Sequence, residues 1–459
     1  MMHKVSNIEA CIGIEVYASK THGIGGIIKR YPEDFIVEEI LTDGSKASIN
    51  LEENRLDSLA EHGRYLICVL VKRSWDTLLA VEELAKAMGI SSDRIGFAGI
   101  KDTSALTAQY ISIGGVPLSK IKKINIKDLY IKPLGFSSEE INPEKLFGNR
   151  FTVTVRSIGL KEATLWERIK KISGELAAFG GVPNFFGHQR FGTIRPITHI
   201  VGKHMIRGDW RKAILTFLSH ESPFESEKAR EARKELHETM DFKAALKRFP
   251  KSLIYERLIL THLSKSPNDF IGALYKIPIN LRRLFVQAYQ SFLFNRFLSE
   301  RIKCGLPLNK AVTGDYLVRL NSLGLPTRKI VKAEKSNIRS LNEEIRKGKI
   351  ALAIPLIGIK QPPSDGLQGE IEKEILEKEG ISQKDFKNPK VIKVNVLGGL
   401  RTALAKIFDL RISVTENETE QPKKSVKFSF TLHKGTYATI LLREFIKPST
   451  DEQLVKSGF

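Results

Sequence analysis

Residues 96–110 read GFAGIKDTSALTAQY. An apolar, glycine-punctuated run leads into Lys101-Asp102, and small residues follow, hydroxylated at Thr103 and Ser104 and apolar at Ala105. From Thr107 to Ile113 the text alternates as a half-buried strand does. Asp102 is therefore expected in a loop joining two β segments, not on a helix. A loop aspartate is commonly only a turn former. The other reading is a chain bent at Gly99 to hold one carboxylate within reach of a substrate, with small neighbours leaving room and Thr107 and Gln109 bracing the loop by hydrogen bonds.

Upstream, GRYLICVLVKR (63–73) is rich in aliphatic and β-branched residues and reads as a buried strand. A helix follows, capped by Ser74 or Asp76, with Leu78, Val81, Leu84, Ala85 and Met88 on one face and Gly89 as its stop. Downstream, RFTVTVRS (150–157) puts Phe151, Val153 and Val155 on one face, and Asn149 falls on that face too. A helix from about 160 to 178 ends at Gly180-Gly181. Residues 195–303 are mostly helical in pattern, including an apolar helix over 280–298 capped by Asn280. From 305 to 396 strands and loops mix, and IEKEILEKEGISQKDFKNPK (371–390) reads as a charged connector. The end returns to β, with LRISVTE and VKFSFTL either side of the polar break NETEQPKKS. That order suggests a middle domain inserted into a sheet whose last strands come from the carboxyl end.

The composition narrows the function. Lys plus Arg number 73 against 52 Asp plus Glu, a net charge of +21 over 459 residues. Such a balance favours polyanions, nucleic acid first. No apolar run reaches the ~20 residues of a membrane span, and the amino terminus lacks the apolar core of a secretory signal. Three scattered cysteines form no CxxC pair, which argues against a structural zinc site or a disulfide framework and for a cytoplasmic protein. There is no phosphate-loop motif, no HExxH, and no glycine-rich cofactor loop after a strand of the kind methyl transfer would want. His188, His199 and His204 lie close together without a second ligand pattern, so neither metal nor cofactor is expected.

Four more segments bear on the reading: Lys29 with PEDF-x-V-x-E from Pro32 to Glu39, Asn149-x-Phe151, VPNFFGHQRFG from Val182 to Gly192, and KGTYATILLRE from Lys434 to Glu444. With AYQSFLFN (288–295) and the register Gly99, Lys101, Asp102, Ala105, Thr107, Gln109, they resemble the TruD family of tRNA pseudouridine synthases over nearly the whole chain. The long middle region looks like the archaeal and eukaryotic branch.

The resemblance implies an α/β (α+β) protein, V-shaped and in two parts. A pseudouridine synthase domain with a mixed, mostly antiparallel sheet would occupy 1–184 and 396–459, and an inserted α/β domain 185–395. It implies isomerisation of uridine to pseudouridine in transfer RNA, with position 13 the leading target, by a cytoplasmic monomer needing no cofactor and no metal. Asp102 becomes the catalytic carboxylate. Lys29 becomes its basic partner, since a carboxylate in a closed pocket is kept ionised by a nearby opposite charge. Lys101 ranks below Lys29 for that pairing, because neighbours on an extended backbone point to opposite sides. Phe151 becomes the aromatic that stacks on an extruded base, and Asn149 supports the same pocket. Glu33, Lys101, Gln109, Asn184 and Arg190 complete the expected substrate-binding set, Lys101 as a phosphate contact. The competing reading is a non-catalytic RNA-binding or RNA-chaperone protein on the same fold, which need not keep Asp102, Lys29 and Phe151.

Overall fold

The computed structural model describes residues 3–56, 59–121, 123–416 and 424–459. In chain order its strands are β1 (Phe35–Leu41), β2 (Tyr65–Arg73), β3 (Ile95–Phe97), β4 (Leu106–Gly114), β5 (Leu129–Ser137), β6 (Leu146–Ile158) and β7 (Val182–Pro183). They continue as β8 (Tyr316–Leu320), β9 (Pro326–Lys332), β10 (Ile350–Leu356), β11 (Gly399–Thr402), β12 (Leu404–Ala405), β13 (Phe408–Glu416) and β14 (Lys424–His433).

The main sheet has the order β13-β14-β6-β1-β4-β2-β5, with β3 against β4. β1 and β4 run parallel and the other pairs antiparallel, so the sheet is mixed and mostly antiparallel. β2 and β4 are buried along all but their end residues. Both faces of these strands are covered, which is why they read as near-continuous apolar runs. β6 instead alternates, burying Phe151, Val153 and Val155 as expected. β14 pairs β6 with Phe430 opposite Phe151, so the carboxyl end does return to the sheet begun at residue 35.

The helix Thr77–Met88 starts on Asp76, whose carboxylate accepts from the amides of Leu78 and Leu79, and ends at Gly89 with φ +67°. The middle of the chain is helical through Ile279–Lys303, followed by a second sheet in the order β11-β10-β8-β9. The helix Ile279–Lys303 joins the two parts. Asn295 Nδ2 donates to the carbonyl of Ile12 and Ser299 Oγ to that of Gly13. One continuous apolar core contains Phe35, Phe151 and Phe428 from the main sheet together with Phe292, Phe297 and Ile354 from the middle region.

Three local expectations are corrected. The long helix begins behind Pro278 rather than at Asn280, proline supplying the entry. The charged connector is not a loop: Gly366–Glu379 is helical, because Ile375 and Leu376 bury one face while the charges stay outside. The second sheet runs past residue 396, since β11 pairs with β10. We propose that the inserted unit closes near Ala403 and that β12, paired with β7, leads back to the main sheet. Most of the break NETEQPKKS lies outside the described residues.

Candidate active site

The loop Ala98–Ala105 joins β3 to β4, and buried polar side chains fix it from below. Gln109 Nε2 donates to the carbonyl of Gly99 at 3.2 Å. Thr77 Oγ1 accepts from the amide of Lys101 at 3.0 Å. Lys72, on the buried strand β2, donates to the carbonyl of Asp102 at 2.8 Å and to that of Trp75 at 2.6 Å. Burial pushes the Lys72 ammonium down to about 8, although Asp102 and Asp76 pull the other way. Lys101 turns inward to a fully buried ion pair with Glu39, Nζ to Oε2 2.5 Å. Glu39 Oε1 also accepts from the amide of Tyr110 on β4.

The expectation that Lys101 contacts a phosphate is therefore corrected: Lys101 is not exposed to solvent but is a 5%-exposed strut under the loop. Its opposite orientation to Asp102 follows the alternation of an extended chain. Gly99 does not need a left-handed backbone, since it is absent from the positive-φ positions. A Cβ there would meet Lys101 Nζ at 3.4 Å and Leu146 at 3.6 Å, ordinary contacts, so neither backbone nor space demands glycine at this position. Gln109 braces the loop from a fully buried position rather than meeting substrate, and Thr107 Oγ1 has no hydrogen-bond partner among the described residues.

Above the loop, Asp102 faces a cavity of about 280 Å³ whose wall includes Phe35, Asn149, Phe151, Gln189, Tyr437 and Thr439. Lys29 Nζ donates to Asp102 Oδ1 at 3.1 Å. Lys29 has φ +59°, a left-handed conformation that costs a non-glycine residue roughly 1–2 kcal/mol. Its ammonium also lies 4.4 Å from the centre of the Phe35 ring, so two contacts hold it in that strained position. Gln189 Nε2 donates to the same Oδ1 at 2.9 Å. No hydrogen bond reaches Oδ2 among the described residues.

Phe151 is 5% exposed, stacked on Phe430 at 5.4 Å and edge-on to Phe35 at 6.1 Å. It is both core and cavity wall. Asn149 Oδ1 and Thr439 Oγ1 are buried cavity-wall atoms without a hydrogen-bond partner among the described residues. Tyr437 packs against Gly187, where a Cβ would lie 2.8 Å from the ring. That glycine lets the 182–192 segment approach closely enough to deliver Gln189.

Three expected substrate contacts lie elsewhere. Glu33 is half-exposed on the turn before β1 and pairs with Arg73 at 2.6 Å, which holds its carboxyl below the usual range. Asn184 is buried and bonded to Thr402 and Arg401. Arg190 turns to Ser291 and Gln287 on the long helix, because the short turn His188–Arg190 sends consecutive side chains in different directions. Gln189, from that turn, and Lys72, Tyr437 and Thr439 were not singled out by sequence. Gln189, Tyr437 and Thr439 sit inside recognised motifs, and a lysine in an apolar strand is itself an anomaly.

The site thus has the parts of an enzyme pocket for a flat ring with a polar edge: one ion-paired carboxylate, three aromatic rings and two unpartnered polar groups. The family model for tRNA pseudouridine synthase D (TruD) matches residues 11–445. The chain is 38% identical over 447 residues to the "Probable tRNA pseudouridine synthase D" of Methanococcoides burtonii, 97% of this chain and 98% of that one. It is 41% identical over 385 residues to the protein of the same name from Methanopyrus kandleri, 84% of this chain and 86% of that one. A crystal structure of the TruD protein from Methanosarcina mazei superposes with a TM-score of 0.81 at 37% identity, covering 98% of this chain and 99% of that one. The chain belongs to the TruD family of tRNA pseudouridine synthases.

Proposed function

We propose that the protein converts uridine to pseudouridine at position 13 of transfer RNA, with Asp102 as the catalytic carboxylate. The observation that carries this reading is the single carboxylate held by Lys29 and Gln189 at the wall of an aromatic cavity. The bond from C1′ to N1 breaks, the uracil turns, C5 bonds to C1′, the proton leaves C5 and N1 gains one. Asp102 acts at the ribose through Oδ2, as nucleophile at C1′ or as base at the C2′ hydrogen. Lys29 and Gln189 bind Oδ1 and so fix which oxygen faces the sugar.

A base taken out of its stack loses stacking energy, and an aromatic platform returns about 1–3 kcal/mol. Phe151 and Tyr437 supply such faces. Asn149 and Thr439 are placed to bond the uracil edge, which presents both donors and acceptors. The chemistry calls for neither metal nor cofactor, and we assign it to a cytoplasmic monomer. No helix among the described residues is long and apolar enough to cross a membrane. The non-catalytic alternative gains no support, because Asp102, Lys29 and Phe151 are all present and share one site. The test is incubation of purified protein with unmodified transfer RNA followed by pseudouridine mapping. One new pseudouridine, at position 13, is the expected result; none, or a scatter of sites, would overturn the assignment.

A further inference from the structure

A second cavity, of about 540 Å³, lies where the two sheets meet. Its walls come from β8, β10, β11 and β12 and from the segment following β14, and Leu352, Leu400 and Leu404 make it largely apolar. Four cations line it, Arg346, Arg401, Lys406 and Lys434, and no Asp or Glu does among the described residues. Arg401 is engaged by Asn184, donating to its Oδ1 at 2.6 Å. Lys434 donates to the carbonyl of Pro143 and has no carboxylate partner among the described residues. Arg346 and Lys406 are exposed, and neither has an ion pair among the described residues. His433 also faces this space, and its Nε2 is buried without a hydrogen-bond partner among the described residues.

Apolar walls with a ring of uncompensated cations suit a ligand that is flat and apolar at one end and anionic at the other. The position of the cavity identifies the source. Thr436 lines both this cavity and the one that holds Asp102, so the two adjoin at the turn His433–Tyr437. Gly435, with φ +79°, lets that turn close, and Thr436 Oγ1 pins it by donating to the carbonyl of His433 at 2.6 Å. The second cavity thus adjoins the one that holds Asp102, within reach of a neighbouring residue of any polynucleotide bound there. We propose that the second cavity takes another nucleotide of the same RNA, its base between the leucines and its phosphate on Arg346 and Lys406. The site would make recognition depend on a flanking base as well as on the target uridine.

This inference rests on the reading that Asp102 receives an RNA uridine, and the experiment separates the two. Binding of a transfer RNA transcript is measured in an Asp102→Asn background, so that no turnover occurs. An abasic residue is walked along the RNA on both sides of the target. One flanking position is expected to weaken binding about tenfold when its base is missing. That penalty should vanish in Ala351→Trp, which fills the cavity from β10. The pair Arg346→Ala and Lys406→Ala should weaken binding about tenfold, whereas Lys243→Ala with Lys247→Ala, the same charge loss on the exposed face of a distant helix, should cost about twofold or less. Both alanine pairs remove exposed side chains and should fold; if Ala351→Trp does not melt cooperatively, the abasic walk and the alanine pairs decide alone. No base-dependent flanking position, or equal losses for the two alanine pairs, would overturn the second site. Native protein that turns over transfer RNA while failing these tests loses only this inference, whereas native protein that does not bind the RNA loses both.

Discussion

Asp102 is held at both ends: its carbonyl by Lys72 from below and its carboxylate by Lys29 and Gln189 from above. Misplacing a catalytic group by about 1 Å can cost 10²-fold in rate. Lys72→Met keeps the length and removes the anchor. It should slow single turnover by about ten- to a hundredfold while the protein stays folded, since it also removes a buried charge. A pH signature accompanies it. Folded Lys72 sheds its proton near 8 and the unfolded side chain only near its ordinary 10.5, so between those values the unfolded state binds more protons and stability rises with pH. Urea unfolding across that window should show this rise in the native protein and less of it in Lys72→Met; identical slopes would mean that Lys72 is not held down by burial. Phe151 tests the platform. Phe151→Ala should cost about 3–5 kcal/mol, because the ring is packed between Phe35 and Phe430. Phe151→Leu restores much of the volume without the flat face, so it should melt close to native and turn over poorly. A leucine variant that turns over normally would return Phe151 to a purely structural role.

At the scale of elements, what local spacing dictates was legible and what distant pairing dictates was not. The loop place of Asp102 followed from the alternation beginning at Thr107, and the helix Thr77–Met88 from Asp76 and Gly89. β11 was not, because Gly399–Thr402 is a short glycine-led segment that becomes a strand only against β10. The pairing of Lys29 with Asp102 came from the family motif; in space it needs the chain to return over 73 residues. Lys101 was misread because its partner, Glu39, arrives from β1. The helix Gly366–Glu379 hid behind its charges, one of which is internal. Glu372 is fully buried, accepts from Ser364 and Gln368, and is pushed up to about 7 by burial against the pull of those donors. The folded protein holds this proton to about 7 while the unfolded chain loses it near 4.5, so the contribution is full below 4.5 and is lost as pH rises through 7. A shift of that size is worth roughly 3 kcal/mol. Glu372→Gln should therefore lose less stability than the native protein between pH 4.5 and 8, as read by urea unfolding. Parallel curves would show that Glu372 is ionised throughout.

For the whole molecule, one apolar core takes in residues of both sheets, and the net charge of +21 is of the sign that attracts a polyanion. Neutralising phosphates releases counterions, so affinity for transfer RNA should fall linearly with salt on logarithmic axes, by about a thousandfold between 50 and 200 mM if on the order of six phosphates are contacted. Binding that is flat over this range would detach the charge from RNA recognition. Asp102 is assigned as the group that does chemistry rather than the group that binds. Asp102→Asn preserves size and can still accept from Lys29 and Gln189, but it has no carboxylate oxygen to offer the ribose. The decisive measurement is affinity for unmodified transfer RNA and pseudouridine formation on the same preparation of that variant. RNA bound within about threefold of native affinity with no pseudouridine formed is the result expected; a variant that forms pseudouridine at near the native rate would contradict the assignment.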